Sequence, residues 1–362
     1  MSTNTSSTHA NMADSLGCIP ANPDISGIGV RTATYAQNLL SFGPAIYALL
    51  DRKVTSVELD SMEDQSTTIL ITAFAILLSA IIQTLTLGLS NFHATIVLNL
   101  SWMNNTNTFI YLLLYFHHII GPADREDPSS KRVERTPWNT QAAIRQGKKI
   151  LQDPVVVIGS LHLSLMAAVG IWLWTRPSVF GNSPPCAMSA SVVILGQKVK
   201  LTSKGLRIWS ILAYSLFVVP GVNLILPVGF FLGSYLIYKH CFPAQSESSI
   251  KPIIIGLIIL AFINLIFLID TEIAIHKNAT LQQDGDSLWT FGQTLALLLL
   301  LIPLRDLVNA FRQRQKKKLD EVRQRHKNID SMRDAIRDKD FTAMKDLIQL
   351  GVEVKAKGTP LT

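Results

Sequence analysis

The chain has 362 residues, a net charge of +7, only 16% charged residues and a positive mean hydropathy. Soluble domains carry about a quarter charged residues, and here the deficit is uneven: long stretches between Ile28 and Leu304 are almost free of charge, whereas the residues from Arg305 onward are densely charged. This excludes a single soluble globular domain and points to a membrane-embedded part followed by a charged tail.

Residues 1–27 read as a polar amino-terminal segment rich in Ser, Thr and Asn, without the basic and apolar regions of a cleaved signal peptide, so the first crossing has to act as the targeting signal. The segment carries a glycosylation sequon at Asn4 and a cysteine, Cys18. A membrane-crossing helix needs about 20 mainly apolar residues, because the hydrocarbon layer is about 30 Å thick and a helix rises about 1.5 Å per residue. Stretches at 28–50, 69–89, 94–120, 155–174, 208–238, 253–269 and 289–304 qualify. Arg31 sits inside the first, and the last is short. The expected fold is all-α: a polytopic bundle of seven crossings over 28–304, with a small β-hairpin in one loop and a helical tail.

In the loop after the third stretch, Thr136-Pro137 is a helix start. Either a basic helix lies there along the inner leaflet, with Arg145, Lys148 and Lys149 drawn to anionic lipid headgroups at about 1 kcal/mol each, or the loop is a solvated connector. The loop after the fourth stretch contains the alternating run SASVVILGQKVKLTS with a glycine at the turn, which predicts a hairpin lid. Cys186 lies in this loop, on the same side as Cys18; the two are either a disulfide or a pair of free thiols, since spacing alone does not give their separation. Cys241 falls on the other side and is expected to be reduced. Three cysteines match no zinc or haem pattern, so neither a metal nor a cofactor is expected, and nothing points to nucleic acid.

The fifth stretch carries Pro220-Gly221 and Pro227, which predict a kink or local unwinding. A second sequon, Asn278-Ala279-Thr280, follows the sixth stretch. After Leu304, residues 305–331 predict a basic helix in which Lys316, Lys317 and Lys318 are placed to meet headgroups. Basic residues favour the cytosolic side. The loop from Gly121 to Pro154 and the tail are both strongly basic, which puts the tail in the cytosol and the amino terminus outside, in the plasma membrane or another secretory-pathway membrane. The loop holding Arg176, Lys198, Lys200, Lys204 and Arg207 runs against this rule.

The third stretch is the least compatible with lipid, because Asn99, Ser101, Asn104, Asn105, Thr106, Asn107 and Thr108 surround a helix at about 100° per residue. Gln37, Asn38, Gln83, His162, Asn223, Asn264 and Gln293 on other stretches are available as partners. The polar seam is either interhelical packing or the lining of a ligand pocket or permeation route; as ligand or pore candidates it offers Asn99, Asn104, Asn105, Asn107, Asn223, Asn264 and Gln293. His93, His117, His118 and His162 show no metal spacing and no obvious carboxylate partner, so no catalytic residue is assigned. A receptor-like or sensory membrane protein with a partner-binding cytosolic tail is the leading expectation. A channel or transporter is second and an intramembrane enzyme third.

Two resemblances add to this. The segment DAIRDKDFTAMKDLIQLGVEVKAKGTPLT, within residues 332–362, resembles a single degenerate ankyrin repeat, with Ala335, Leu347, Gly351 and Thr359-Pro360-Leu361 on its pattern and Lys339, Val352, Lys355 and Thr362 departing from it. One such unit does not bury its own apolar face. The stretches PANPDISGIGVRTATYAQNLL, LSWMNNTNTFIYLLLY and DTEIAIHKNATLQQDGDSLWTFGQTLALLLLLIPLRDL resemble a group of multipass membrane proteins of filamentous, mushroom-forming fungi. That resemblance implies architecture and transfers no catalytic or binding residue.

Overall fold

Apolar runs of this length have to satisfy their own backbone groups, and the chain does so almost entirely with helices. The computed structural model describes residues 17–50, 54, 56–120, 150, 152–181, 183–241, 251–285, 288–338 and 342. The sequon at Asn4, the loop helix with Arg145, Lys148 and Lys149, and the ankyrin-like segment beyond Asp338, save residue 342, lie outside these residues. The chain divides into two units, residues 1–122 with 139–307 and residues 123–138 with 308–362.

In the larger unit a helical turn at Pro23–Ser26 leads into α1 (Ile28–Leu40) and α2 (Phe42–Leu50), which are separated at Ser41. Then come α3 (Ser56–Thr86), α4 (Asn91–Ile120) and α5 (Pro154–Thr175). Asp153 caps α5, its carboxylate accepting from the Val155 and Val156 amides, with Pro154 at the first helical position where it has no hydrogen bond to lose. The hairpin follows: β1 (Ser191–Ile194) pairs antiparallel with β2 (Gln197–Lys200), Val192 opposite Val199. The fifth stretch is broken into α6 (Lys204–Ser215) and α7 (Ile225–Cys241), with a 3-10 turn at Val222–Leu224 between them. α8 (Lys251–Lys277) and α9 (Phe291–Leu299) complete this part, and α10 (Leu301–Arg337) begins in it.

Four segments are long and apolar enough to cross a membrane: Leu59–Thr86, Pro154–Thr175, Lys251–Lys277 and Phe291–Asp334. The other three expected crossings fall short of that description for separate reasons. The first is divided at Ser41 and the fifth at residues 216–224, so neither supplies one long helix. The third, α4, is continuous and 30 residues long, but its asparagines and threonines dilute its apolar character.

α3, α4 and α5 pack mutually, and α8 packs on α4. One apolar cluster, around Phe92, Leu98, Met166 and Trp174, fills the end of the bundle nearest the hairpin. A second, around Met62, Tyr111, Leu114 and Leu257, fills the opposite end. Gly159 permits the close approach of α5 to α4: a Cβ there would stand 2.2 Å from the Thr108 hydroxyl oxygen.

Within the smaller unit, the described residues 308–338 continue α10 as a charged helix with exposed ion pairs three residues apart, such as Arg333 with Asp330 at 3.4 Å. Exposed pairs of this kind contribute about 0.3–0.5 kcal/mol each. Lys316 and Lys318 lie on this helix and are exposed, whereas the Lys317 side chain is outside the described residues.

Candidate functional site

The polar residues of α4 are buried, Asn99 in part, and divide their bonds among four neighbouring helices. Toward α1, the Asn38 amide donates to Asn104 Oδ1 at 2.8 Å, and its own oxygen accepts from Asn107 Nδ2 at 3.2 Å. Asn104 and Asn107 are three residues apart and therefore one above the other, which lets a single side chain clip both. Toward α5, Asn105 Oδ1 lies 3.1 Å from His162 Nδ1. Toward α8, Asn264 Nδ2 donates to Thr106 Oγ1 at 2.7 Å, and Asn99 Nδ2 donates to Thr271 Oγ1 at 3.3 Å. Trp102 Nε1 donates to the Tyr214 hydroxyl of α6 at 3.3 Å. The seam is thus built mainly of direct contacts between helices, in which amides that lipid would leave unsatisfied find one another. Three of its oxygens, Asn107 Oδ1, Asn264 Oδ1 and Thr108 Oγ1, are buried without a hydrogen-bond partner.

Of the seven residues predicted for the seam, Asn99, Asn104, Asn105, Asn107 and Asn264 meet on α4 or its partners, and two do not. Asn223 belongs to the break between α6 and α7. Its amide accepts from Ser160 Oγ at 2.9 Å and donates to the Ser160 carbonyl at 2.8 Å and to Ser164 Oγ at 3.0 Å. Gly221, at φ +80°, makes the turn, and its N–H donates to Ser160 Oγ at 2.7 Å. Proline unwinds the helix there, and α5 supplies the partners that the unwound backbone loses. Gln293 lies elsewhere again, its Oε1 accepting from the Gly29 amide at 2.8 Å, so it fastens α9 to the start of α1.

At the hairpin end the sequence-level picture is partly corrected. Cys18 and Cys186 are joined in a disulfide, with their Cα atoms 6.5 Å apart, and Ile19 exchanges backbone hydrogen bonds with Leu281 and Gln283. The hairpin lies along α8. Asp270 accepts from the Leu195 and Gly196 amides at 2.8 Å each, which holds the two positive-φ residues of the turn. Asn278 holds the other end of β1, accepting from the Ser191 amide at 2.9 Å and donating to the Ser191 and Ala274 carbonyls at 2.8 and 2.6 Å. Asn278 is 1% exposed, so the sequon's side chain is turned inward and not presented at the surface. A glycan on its Nδ2 would take one of the two hydrogens that make these donated bonds.

Two charged residues that were puzzling in the sequence are explained here. Arg31 pairs with Glu272 of α8, whose Oε1 also accepts from the Tyr35 hydroxyl at 2.8 Å. Arg207 donates to the Trp174 and Thr175 carbonyls at 3.1 and 2.8 Å, closing the end of α5. Neither Asp270 nor Thr271 stood out as a site residue, because a polar residue near a helix end is unremarkable until its partner on a distant loop is known. The histidines have ordinary contacts: His93 Nδ1 is 2.7 Å from Ser90 Oγ, and His118 Nδ1 is 2.9 Å from the Val54 carbonyl oxygen. Among the described residues no group of three or more His, Cys, Asp or Glu side chains is gathered to hold a metal ion.

Comparison of the chain with family models, curated proteins and solved structures finds no match.

Proposed function

We propose that the chain is a receptor-like or sensory integral membrane protein with seven crossings: α1 with α2, α3, α4, α5, α6 with α7, α8, and α9 with the apolar start of α10. In this reading the disulfide end and the amino terminus are outside, and the charged helix of α10 and the ankyrin-like segment are in the cytosol, where they meet anionic headgroups and a partner protein. It includes membership in the fungal multipass group that the segments resemble. The observation that carries it is the cap at one end of the bundle, where a disulfide, Asp270 and Asn278 fasten the amino-terminal segment and the hairpin to α8. A disulfide persists in an oxidising compartment, which supports this orientation. The direct amide pairs of the seam favour a closed bundle over a permeation route, which ranks the sensory reading above a channel or transporter.

Single cysteines at Lys198 and Lys318, in a Cys241→Ser background that keeps the Cys18–Cys186 pair, test the orientation. A membrane-impermeant maleimide on intact cells is expected to label position 198 and to reach position 318 only after permeabilisation. The opposite pattern overturns the topology. Purified protein in liposomes is expected to pass no ions or small solutes, and measured flux that Asn38→Leu alters would replace the sensory reading with the transport one.

A further inference from the structure

The hairpin end of the bundle gathers positive charge that neither the seam nor the cap uses. Arg207 donates to the Trp174 and Thr175 carbonyls, which sets the end of α5 against the first turn of α6, and Arg176 follows Thr175. Lys204 precedes Arg207 by three residues, so the two share one side of α6. The Ser203 N–H donates to the Lys200 carbonyl at 2.9 Å, so Lys200 and Lys204 flank one tight turn. Lys198 lies on the same face of β2 as Lys200. Arg176, Lys198, Lys200 and Lys204 are all exposed.

Among the described residues, no carboxylate pairs with any of these five cations. Three acids at this end are engaged elsewhere: Asp270 holds the hairpin turn, Glu272 holds Arg31, and Asp24 accepts from the Thr290 hydroxyl. Lys204 and Arg207 also stand in the first turn of α6, where the helix dipole favours an anion over a cation. Like charges gathered there repel one another, and an anion from outside the chain relieves both penalties.

The depth of the cluster points to the source of that anion. Trp172 stands four residues before Arg176 on α5, and Trp209 stands five residues after Lys204 on α6, about 6 and 7.5 Å along the helices. Both indoles are exposed, at 38% and 70%, as is Ile208 beside Trp209. Exposed tryptophans settle at the boundary between hydrocarbon and headgroups. The cations therefore lie about one helical turn toward water from that boundary, at the level of the lipid phosphates, which their long stems reach along the helix surface. A soluble acidic partner would require no such register with the indoles. We propose that Arg176, Lys200 and Lys204, with Lys198 beside them, bind the headgroup of an anionic phospholipid in the leaflet at the hairpin end. Basic residues that run against the charge rule then have a ligand that accounts for them. The proposal needs the chain to be embedded in a bilayer but does not depend on the sensory reading or on which end is outside.

The test uses the full chain in phosphatidylcholine nanodiscs containing a phosphatidylserine probe with a photoreactive diazirine near the top of one acyl chain. Adducts are expected on peptides holding Trp172 to Arg176 and Lys204 to Leu212, competed by phosphatidylserine and phosphatidylglycerol and not by phosphatidylcholine. Lys200→Gln and Lys204→Gln are each expected to lower labelling of these peptides about fivefold, as the loss of one charge contact with a headgroup allows, and Lys204→Arg is expected to retain it. Both glutamine variants change exposed side chains and are expected to keep the wild-type melting profile in phosphatidylcholine alone. Equal labelling of these peptides by a phosphatidylcholine probe, labelling that the glutamine variants leave unchanged, or stronger competition by soluble polyglutamate or heparin than by phosphatidylserine would overturn the assignment.

Discussion

Helices α4 and α8 invert each other. α4 carries seven amides and hydroxyls between Asn99 and Thr108 yet is buried on nearly every side. α8 is almost wholly apolar between Ile253 and Ile269 yet leaves Ile255, Ile258, Phe262, Leu265 and Ile269 exposed. In water this arrangement would be upside down. In hydrocarbon it is the stable one, because an exposed isoleucine loses nothing there while an exposed asparagine leaves donors and acceptors unmet. The helix that looks least like a membrane segment is therefore the one the others enclose.

The strongest way to break this comparison is to put a charge on the exposed face of α8. Phe262, near the middle of the helix and 61% exposed, is expected to tolerate Phe262→Asp poorly, at a cost of about 2.5–3.5 kcal/mol if that face meets lipid. Insertion efficiency and melting temperature in nanodiscs measure it; a variant as stable as the wild type would mean that the face is wet. A smaller effect separates two glycines. Gly159→Leu forces side-chain atoms into Thr108 and is expected to cost about 1–3 kcal/mol or more. Gly229→Ala on α7, where nothing lies within 4 Å of the added Cβ, is expected to be neutral or slightly stabilising, and equal melting shifts for the two would refute tight α4–α5 packing.

How much of this was legible beforehand follows from what each signal depends on. Four of the apolar stretches, the proline break, the hairpin around Gly196 and the candidacy of Cys18 and Cys186 rest on local chemistry and have counterparts in the structure. The need to enclose α4 was also readable, since lipid has nothing to offer seven polar side chains. Partnership was not readable. Asn223 and Asn264 are indistinguishable in an apolar run, yet one repairs a broken helix and the other reaches α4. Asn278 carried a motif pointing outward to a glycan, but its amide is held inward by β1 and its own helix. A motif records which atoms are present and is silent on which distant backbone uses them first.

Within the seam itself the comparison sharpens to two residues. Asn38→Leu removes the amide that joins α1 to both Asn104 and Asn107 and leaves their polar atoms buried without that partner. Interhelical hydrogen bonds of this kind average about 0.6 kcal/mol, with a maximum near 1.7, so a loss of about 1–2 kcal/mol is expected, read as a lower melting temperature in nanodiscs. Asn264→Leu removes only the bond to Thr106 between helices. It also removes the Oδ1 atom that is buried without a partner, and shedding an unsatisfied acceptor offsets the bond that is lost. The two effects oppose each other, so the net change is expected to stay within about 0.5 kcal/mol. A cost for Asn264→Leu as large as that for Asn38→Leu would mean that its oxygen has a partner, such as an ordered water, in the folded protein. The seam would then be hydrated, and the case for a closed bundle would weaken at the point where α8 meets α4.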